Sequence, residues 1–190
     1  MIIMHVYMIV LTVILFAFLV RHYWFTVNRF TEKQKQVEIL DDTQWPSVCV
    51  MVPMHNEEHV IANALNAILS CEYPQDKIQI IPINDHSEDN TKVIVDEFES
   101  KYPDRIQVLH RLDPSQARGK PVALNDAIKL TDAEIILIFD ADYQPAKDGI
   151  KKLVSAFKDP EVGAVMGRVV PYNVDTNILT RLLFLEREGG

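Results

Sequence analysis

Apolar and polar positions fall in blocks along the chain, and the blocks change character near residue 45. Ile2 to Val20 is apolar apart from His5, Tyr7 and Thr12. As a helix this stretch is roughly 28 Å long, close to the hydrocarbon thickness of a bilayer. Arg21 and His22 end the run, and Tyr23, Trp24 and Phe25 follow as an interfacial aromatic belt. No basic residue precedes the run, and bulky aromatics rather than small residues follow it. An uncleaved membrane anchor over residues 1–27 therefore fits better than a cleaved signal peptide. Arg21, Arg29, Lys33 and Lys35 all come after the run. That asymmetry predicts a single-pass protein of the cell membrane, with its amino terminus outside and the rest in the cytoplasm. Residues 28–45 are polar and of mixed charge, a juxtamembrane linker.

Beyond Trp45 the period switches repeatedly between that of a strand and that of a helix. Ser47–Val52, closed by Pro53, predicts a buried strand. Glu57–Leu69 places Val60, Ile61, Ala64, Leu65, Ile68 and Leu69 at helical spacing. Lys77–Ile83 predicts a second strand, Asn90–Phe98 a helix, and Ile106–Leu109 a short third strand. Pro121–Leu130 predicts a helix, Glu134–Phe139 a fully apolar fourth strand, and Lys147–Phe157 a further helix. Val162–Val170 predicts a fifth strand at a sheet edge, and Asn177–Glu188 an amphipathic surface helix. Such alternation implies an α/β layer with a mostly parallel sheet. The carboxyl ends of its strands share one edge, where ligands of such folds bind.

Composition narrows the field. The net charge of -8 and the lack of a basic stripe argue against a nucleic-acid partner. Cys49 and Cys71 have no metal-ligand spacing and are too few for a disulfide framework, so they read as reduced thiols. With 190 residues there is room for one ordinary domain beside the anchor.

Polar residues with chemical potential follow three of the strands, as the edge rule requires. Asp140-Ala141-Asp142 comes directly after the fourth strand. Two carboxylates so close suit a hard divalent ion, Mg²⁺ or Mn²⁺, which can also bridge a diphosphate; the simpler reading is an acidic turn capping the next helix. Asn84-Asp85-His86-Ser87 follows the second strand. There Asp85 is the ligand-facing member, and Ser87, Asp89 or Asn90 caps the following helix. Pro53-Met54-His55-Asn56-Glu57-Glu58 ends the first strand and opens a helix. Its free amino-terminal N–H groups, with Asn56 or Glu57, can hold a nucleoside, or Asn56 simply caps. His55 and His59 are four apart without a third ligand and read as surface histidines. In Arg118-Gly119-Lys120-Pro121, Lys120 is placed to reach a diphosphate, without the glycine spacing of a P-loop.

The ordered set Val52-Pro-Met-His-Asn-Glu-Glu58, Asn84-Asp-His-Ser87, Gly119-Lys-Pro-Val-Ala-Leu-Asn125 and Phe139-Asp-Ala-Asp142 resembles the inverting family-two glycosyltransferases. Within them it is most similar to the cellulose-synthase-like group, which includes hyaluronan and poly-N-acetylglucosamine synthases. The resemblance implies a GT-A fold, the Rossmann-like fold of nucleotide-diphospho-sugar transferases, over residues 46–190. It also implies that Pro53, Asn56, Glu57 and Asp85 border the nucleobase and ribose, and that Lys120 lies near the diphosphate. Asp140 and Asp142 would hold the metal, with Asp140 also on the donor. The expected activity is metal-dependent, inverting transfer from a UDP- or GDP-sugar to a polysaccharide or glycan, as in cell-wall biosynthesis. The family's acceptor-side aspartate motif and Gln-x-x-Arg-Trp motif have no counterpart before Gly190. The domain is therefore expected to be incomplete at its carboxyl end, without its own catalytic base and dependent on a partner for the acceptor half. Two other readings remain: a nucleotide-sugar-binding module without turnover, and transfer of a single sugar to a lipid carrier.

Overall fold

The computed structural model describes residues 2–31, 39, 45–113 and 115–167. The chain divides into two compact units, one formed by Met1–Gln36 with Gly167–Gly190 and the other by Val37–Met166.

The first unit contains helix α1, Ile2–Thr31. Its segment Ile2–Phe25 is long and apolar enough to cross a membrane. The helix runs beyond the end expected from the apolar pattern because residues 21–31 include no proline or glycine to stop it. Arg21 instead lies 5.9 Å from the ring centroids of both Phe18 and Phe25, one turn to either side.

The second unit is built on four parallel strands: β1 Val48–Met54, β2 Ile78–Asp85, β3 Leu109–Arg111 and β4 Ile135–Ile138. They lie in the order β3-β2-β1-β4. The helices between and after them are α2 Ile61–Leu69, α3 Thr91–Lys101, α4 Lys120–Ala127 and α5 Gly149–Ser155. β1 is central, with Val48 in register with Ile78 on one side and Ile135 on the other. Its residues are buried on both faces, which is why the strand reads as a continuous apolar run. Val48, Val50, Val52 and Met54 join the larger core with Ile61, Leu65 and Ile68 of α2 and Ile150 and Val154 of α5. Cys49 and Met51 point the other way, with Ile81 and Ile83, onto Ala123 and Ala127 of α4. Cys49 and Cys71 are both buried and unpaired, and burial pushes each thiol up to about 11.

Two prolines account for where the ladders start and stop. Phe139 donates its N–H to the Met51 carbonyl, the last such bond from β4 to β1. Pro53, two residues on, faces the same side after β4 has ended, so its missing N–H breaks nothing and β1 continues to Met54. Pro82 faces β3, where Ile80 exchanges bonds with Arg105 and Gln107. The donor it lacks interrupts that ladder. The expected strand Ile106–Leu109 is accordingly an isolated bridge at Ile106, then β3 proper from Leu109.

The fourth strand differs from expectation in burial. Leu137 and Phe139 are buried, but Ile136 and Ile138 are 37% and 50% exposed. α4 covers β1 and β2 and leaves this face of β4 open among the described residues. The expected fifth strand is absent at residues 162–167, which have no regular structure; residues 168–170, the 177–188 helix and linker residues 32–38 and 40–44 lie outside the described residues.

Candidate functional site

The carboxyl ends of β1 and β2 meet the start of α4 around a cleft of about 420 Å³. Pro53, Met54, His55 and Glu57 line it from β1, Asp85 from β2, and Arg118, Gly119, Lys120 and Ala123 from the α4 side. A larger hollow of about 600 Å³, lined by residues such as Gln79, Arg105 and Thr131, lies at the opposite edge of the sheet, away from these motifs.

The tips of β1 and β2 are laced to one another. Asn56 and His86 both take left-handed backbone angles, φ +57° and +61°, so each strand turns sharply just past its end. Asn56 N–H donates to Ser87 Oγ (3.0 Å), Glu57 N–H to Thr91 Oγ1 (2.9 Å) and Glu58 N–H to Asp89 Oδ2 (3.1 Å). In return Asn56 Oδ1 accepts from Glu88 N–H (2.8 Å), and Glu58 Oε2 from Asn90 N–H (2.9 Å). These bonds correct one expectation: the N–H groups after β1 are not free to hold a ligand, because side chains of the second tip use them. The helix itself begins only at Ile61, after a turn over Glu57–Val60. Asn56 is exposed and serves this lacing rather than lining the cleft. Asn90 holds the N-cap position of α3 without a side-chain capping bond, and Asp89 just before it accepts from Thr91 N–H (3.0 Å).

Asp85 is among the most heavily bonded side chains of the site. Its Oδ1 accepts from Arg111 Nη1 (2.5 Å) and lies 2.8 Å from His86 Nδ1, while Oδ2 accepts from Gly119 N–H (2.8 Å). Its side chain is 11% exposed. Burial pushes its carboxyl up, but the bonds from Gly119 and His86 and the charge of Arg111 outweigh burial and hold it below its ordinary value. Arg111 is 2% exposed and also donates from Nε to Asp126 Oδ2 (3.0 Å) and from Nη2 to the Ala117 carbonyl (2.7 Å). Gly119 has φ +116° and ψ 151°, a conformation glycine alone adopts readily, and its carbonyl accepts the first N–H groups of α4. His55 donates from Nδ1 to the Asp85 carbonyl (2.8 Å), which fixes its ring at the cleft wall.

Asp140 and Asp142 occupy a different setting. Along Leu137 to Asp142 the buried positions are Leu137, Phe139 and Ala141, and the exposed ones are Ile138, Asp140 and Asp142. Ala141, 4% exposed, anchors the turn, so both carboxylates stand on the solvent side. Asp140 is joined to the cleft through an ion pair with Lys120. Arg118 is exposed beside it and makes no hydrogen bond or ion pair with a described residue.

The structure thus gathers Pro53, Glu57, Asp85 and Lys120 around one cleft, brings Asp140 to its rim through Lys120, and leaves Asn56 outside. Of the other residues here, His55 is exposed as expected of a surface histidine but lines the cleft, Arg118 of the Arg118–Pro121 motif lines it without an assigned role, and Arg111 carries no signal in the sequence. Arg111 was the least accessible of them, since an arginine in a short strand resembles any surface cation until its burial is known.

The glycosyl transferase family 2 profile matches residues 49–188, and the chain belongs to that family. It is 38% identical over 142 residues to a probable glycosyltransferase, YdaM, of Bacillus subtilis, an alignment covering 74% of this chain and 34% of that protein. It is 34% identical over 137 residues to the beta-monoglucosyldiacylglycerol synthase of Synechocystis, covering 72% and 28%. The chain therefore spans about a third of the length of these curated relatives. Among solved structures it resembles the mannosyltransferase PcManGT of Pyrobaculum calidifontis in complex with GDP-Man and Mn²⁺. The TM-score is 0.69 at 33% identity, over 82% of this chain and 44% of that one. S. aureus TarS 1-349 in complex with UDP-GlcNAc gives a TM-score of 0.50 at 27% identity, over 69% and 38%. The parallel sheet with its flanking helices is a GT-A-type fold.

Proposed function

We propose that this chain is the donor-binding portion of a membrane-anchored glycosyltransferase that uses a nucleotide-diphospho-sugar. The observation that carries the reading is the cleft itself, where Arg118 and Lys120 enter from one side and Asp140 stands at the rim beside Asp142. An anionic diphosphate is the group that uses both the cations and a metal held by the carboxylates. The solved relatives with GDP-Man and UDP-GlcNAc support a donor of this class.

The residues present fit a hard divalent ion in part. Asp140 and Asp142 offer exposed carboxylate oxygens, and no third His, Cys, Asp or Glu joins them among the described residues. They would hold Mg²⁺ or Mn²⁺, with the remaining positions left to diphosphate and water. Such an ion supplies neutralisation of the departing diphosphate. Lys120 adds a cation on the same side, and Pro53, Glu57 and Asp85 form the nucleoside end of the cleft. Inverting transfer is the chemistry proposed, and no described carboxylate is assigned as the base for the acceptor.

The domain division proposed is an anchor over residues 1–27, a linker over 28–45 and the transferase domain over 46–190, with that domain in the cytoplasm. The apolar helix α1 supports the anchor. For the acceptor, the glucosyldiacylglycerol-forming relatives support single transfer to a lipid, ahead of polymer synthesis of the cellulose-synthase-like kind. Calorimetry with UDP and GDP in the presence of Mn²⁺ tests the donor reading. Asp142→Ala is expected to abolish the Mn²⁺-dependent part of the affinity, and an unchanged affinity would sink the metal assignment.

A further inference from the structure

We propose that Arg111 is a positioning residue that sets the diphosphate-facing side of the cleft by clamping three elements with one guanidinium. This rests on the donor reading above and deepens it. The three bonds diverge: Nη1 to Asp85 at the tip of β2, Nη2 to the Ala117 carbonyl in the approach to α4, and Nε to Asp126 within α4. Asp85 passes the constraint on, because its second oxygen accepts from Gly119 N–H. Arg118 is thus flanked by two tethered residues, Ala117 and Gly119, and Lys120 follows directly. Exposed cations on a short irregular stretch are ordinarily mobile, and holding their backbone at both ends aims them into the cleft at little entropic cost on binding. Only a planar fork with separate donors can reach three partners in this way; a lysine ammonium in the same place has one nitrogen on a flexible stem.

A purely structural role and a positioning role separate in ligand selectivity. Arg111→Lys keeps the charge and loses the fork. If it positions the cations, Mn²⁺-dependent affinity for UDP or GDP falls about tenfold, the scale of one lost charged hydrogen bond. Affinity for UMP or GMP, which lack the second phosphate, changes by less than about twofold. Equal losses for mono- and diphosphate, or no loss in the folded variant, overturn the proposal.

If Arg111→Lys does not fold, Asp126→Ala removes the partly exposed leg of the clamp and leaves Arg111 in place. A selective loss of diphosphate affinity of about threefold is then expected, and unchanged selectivity counts against the clamp. Amide exchange separates failure of the clamp from failure of the donor reading. Should the wild-type protein bind neither UDP nor GDP, the donor reading falls. The clamp is then judged on the Gly119 amide alone: faster exchange in Asp126→Ala upholds it, and unchanged exchange overturns it.

Discussion

β2 ends on an aspartate, Asp85, and β4 is followed two residues on by another, Asp140, yet the two carboxylates live in opposite electrostatic worlds. Asp85 is enclosed and bonded by Arg111, Gly119 and His86, whereas Asp140 is two-thirds exposed and bonded to Lys120. A carboxylate that already accepts three bonds is largely part of the framework, and one left to solvent remains available to a ligand. The same residue type at the same edge of the sheet therefore carries two different meanings, decided by the donors that surround it.

Asp85→Ala should produce the largest effect of any single change at either tip. It leaves the buried Arg111 without its shortest ion pair, and loss of one partner of such a pair costs about 3 kcal/mol or more. Urea unfolding of the variant measures it, and a change under about 1 kcal/mol would mean that Asp85 is as free as Asp140. Next comes Gly119→Ala, expected to destabilise by about 1–3 kcal/mol through its φ of +116° and to weaken nucleotide binding with it. A wild-type thermal midpoint in that variant would show that the tether does not need this conformation.

Acid provides a smaller, graded test. Asp85 titrates below its ordinary value in the folded protein, so its contribution to stability is complete above the unfolded range near pH 4. It is lost as the pH falls through the folded value. Denaturant midpoints measured from about pH 5 to pH 2 should decline less steeply in Asp85→Asn than in wild type; parallel declines would contradict the linkage. Smallest is Asp140→Ala, expected to leave stability within about 0.5 kcal/mol of wild type while removing metal-dependent nucleotide affinity. A large loss of stability there would erase the contrast between the two tips.

Much of the second unit was legible because burial on both faces writes itself as unbroken apolar runs. The expected strands Ser47–Val52 and Lys77–Ile83 fall on β1 and β2 but for their first residues, and the spacing of Ile61, Leu65 and Ile68 matches the buried stripe of α2. Less legible were features set by partners remote in sequence. Glu134 to Phe139 has the same apolar run as β1, but what covers each face depends on where α4 lands, and Ile136 and Ile138 stayed exposed. The N–H groups of Asn56, Glu57 and Glu58 looked available because their acceptors, Ser87, Thr91 and Asp89, lie about thirty residues away. Composition and spacing report local preference, and these bonds are made across the sheet.

The two buried thiols have a practical consequence for anyone labelling this protein. With Cys49 and Cys71 enclosed and their thiols pushed up to about 11, less than roughly one in a thousand of either is the reactive thiolate at neutral pH. Maleimide probes should therefore distinguish a cysteine introduced on the surface from both native ones, provided the fold is intact. Fluorophores placed in this way would report on the surroundings of the Arg118–Lys120 stretch without first replacing either native cysteine.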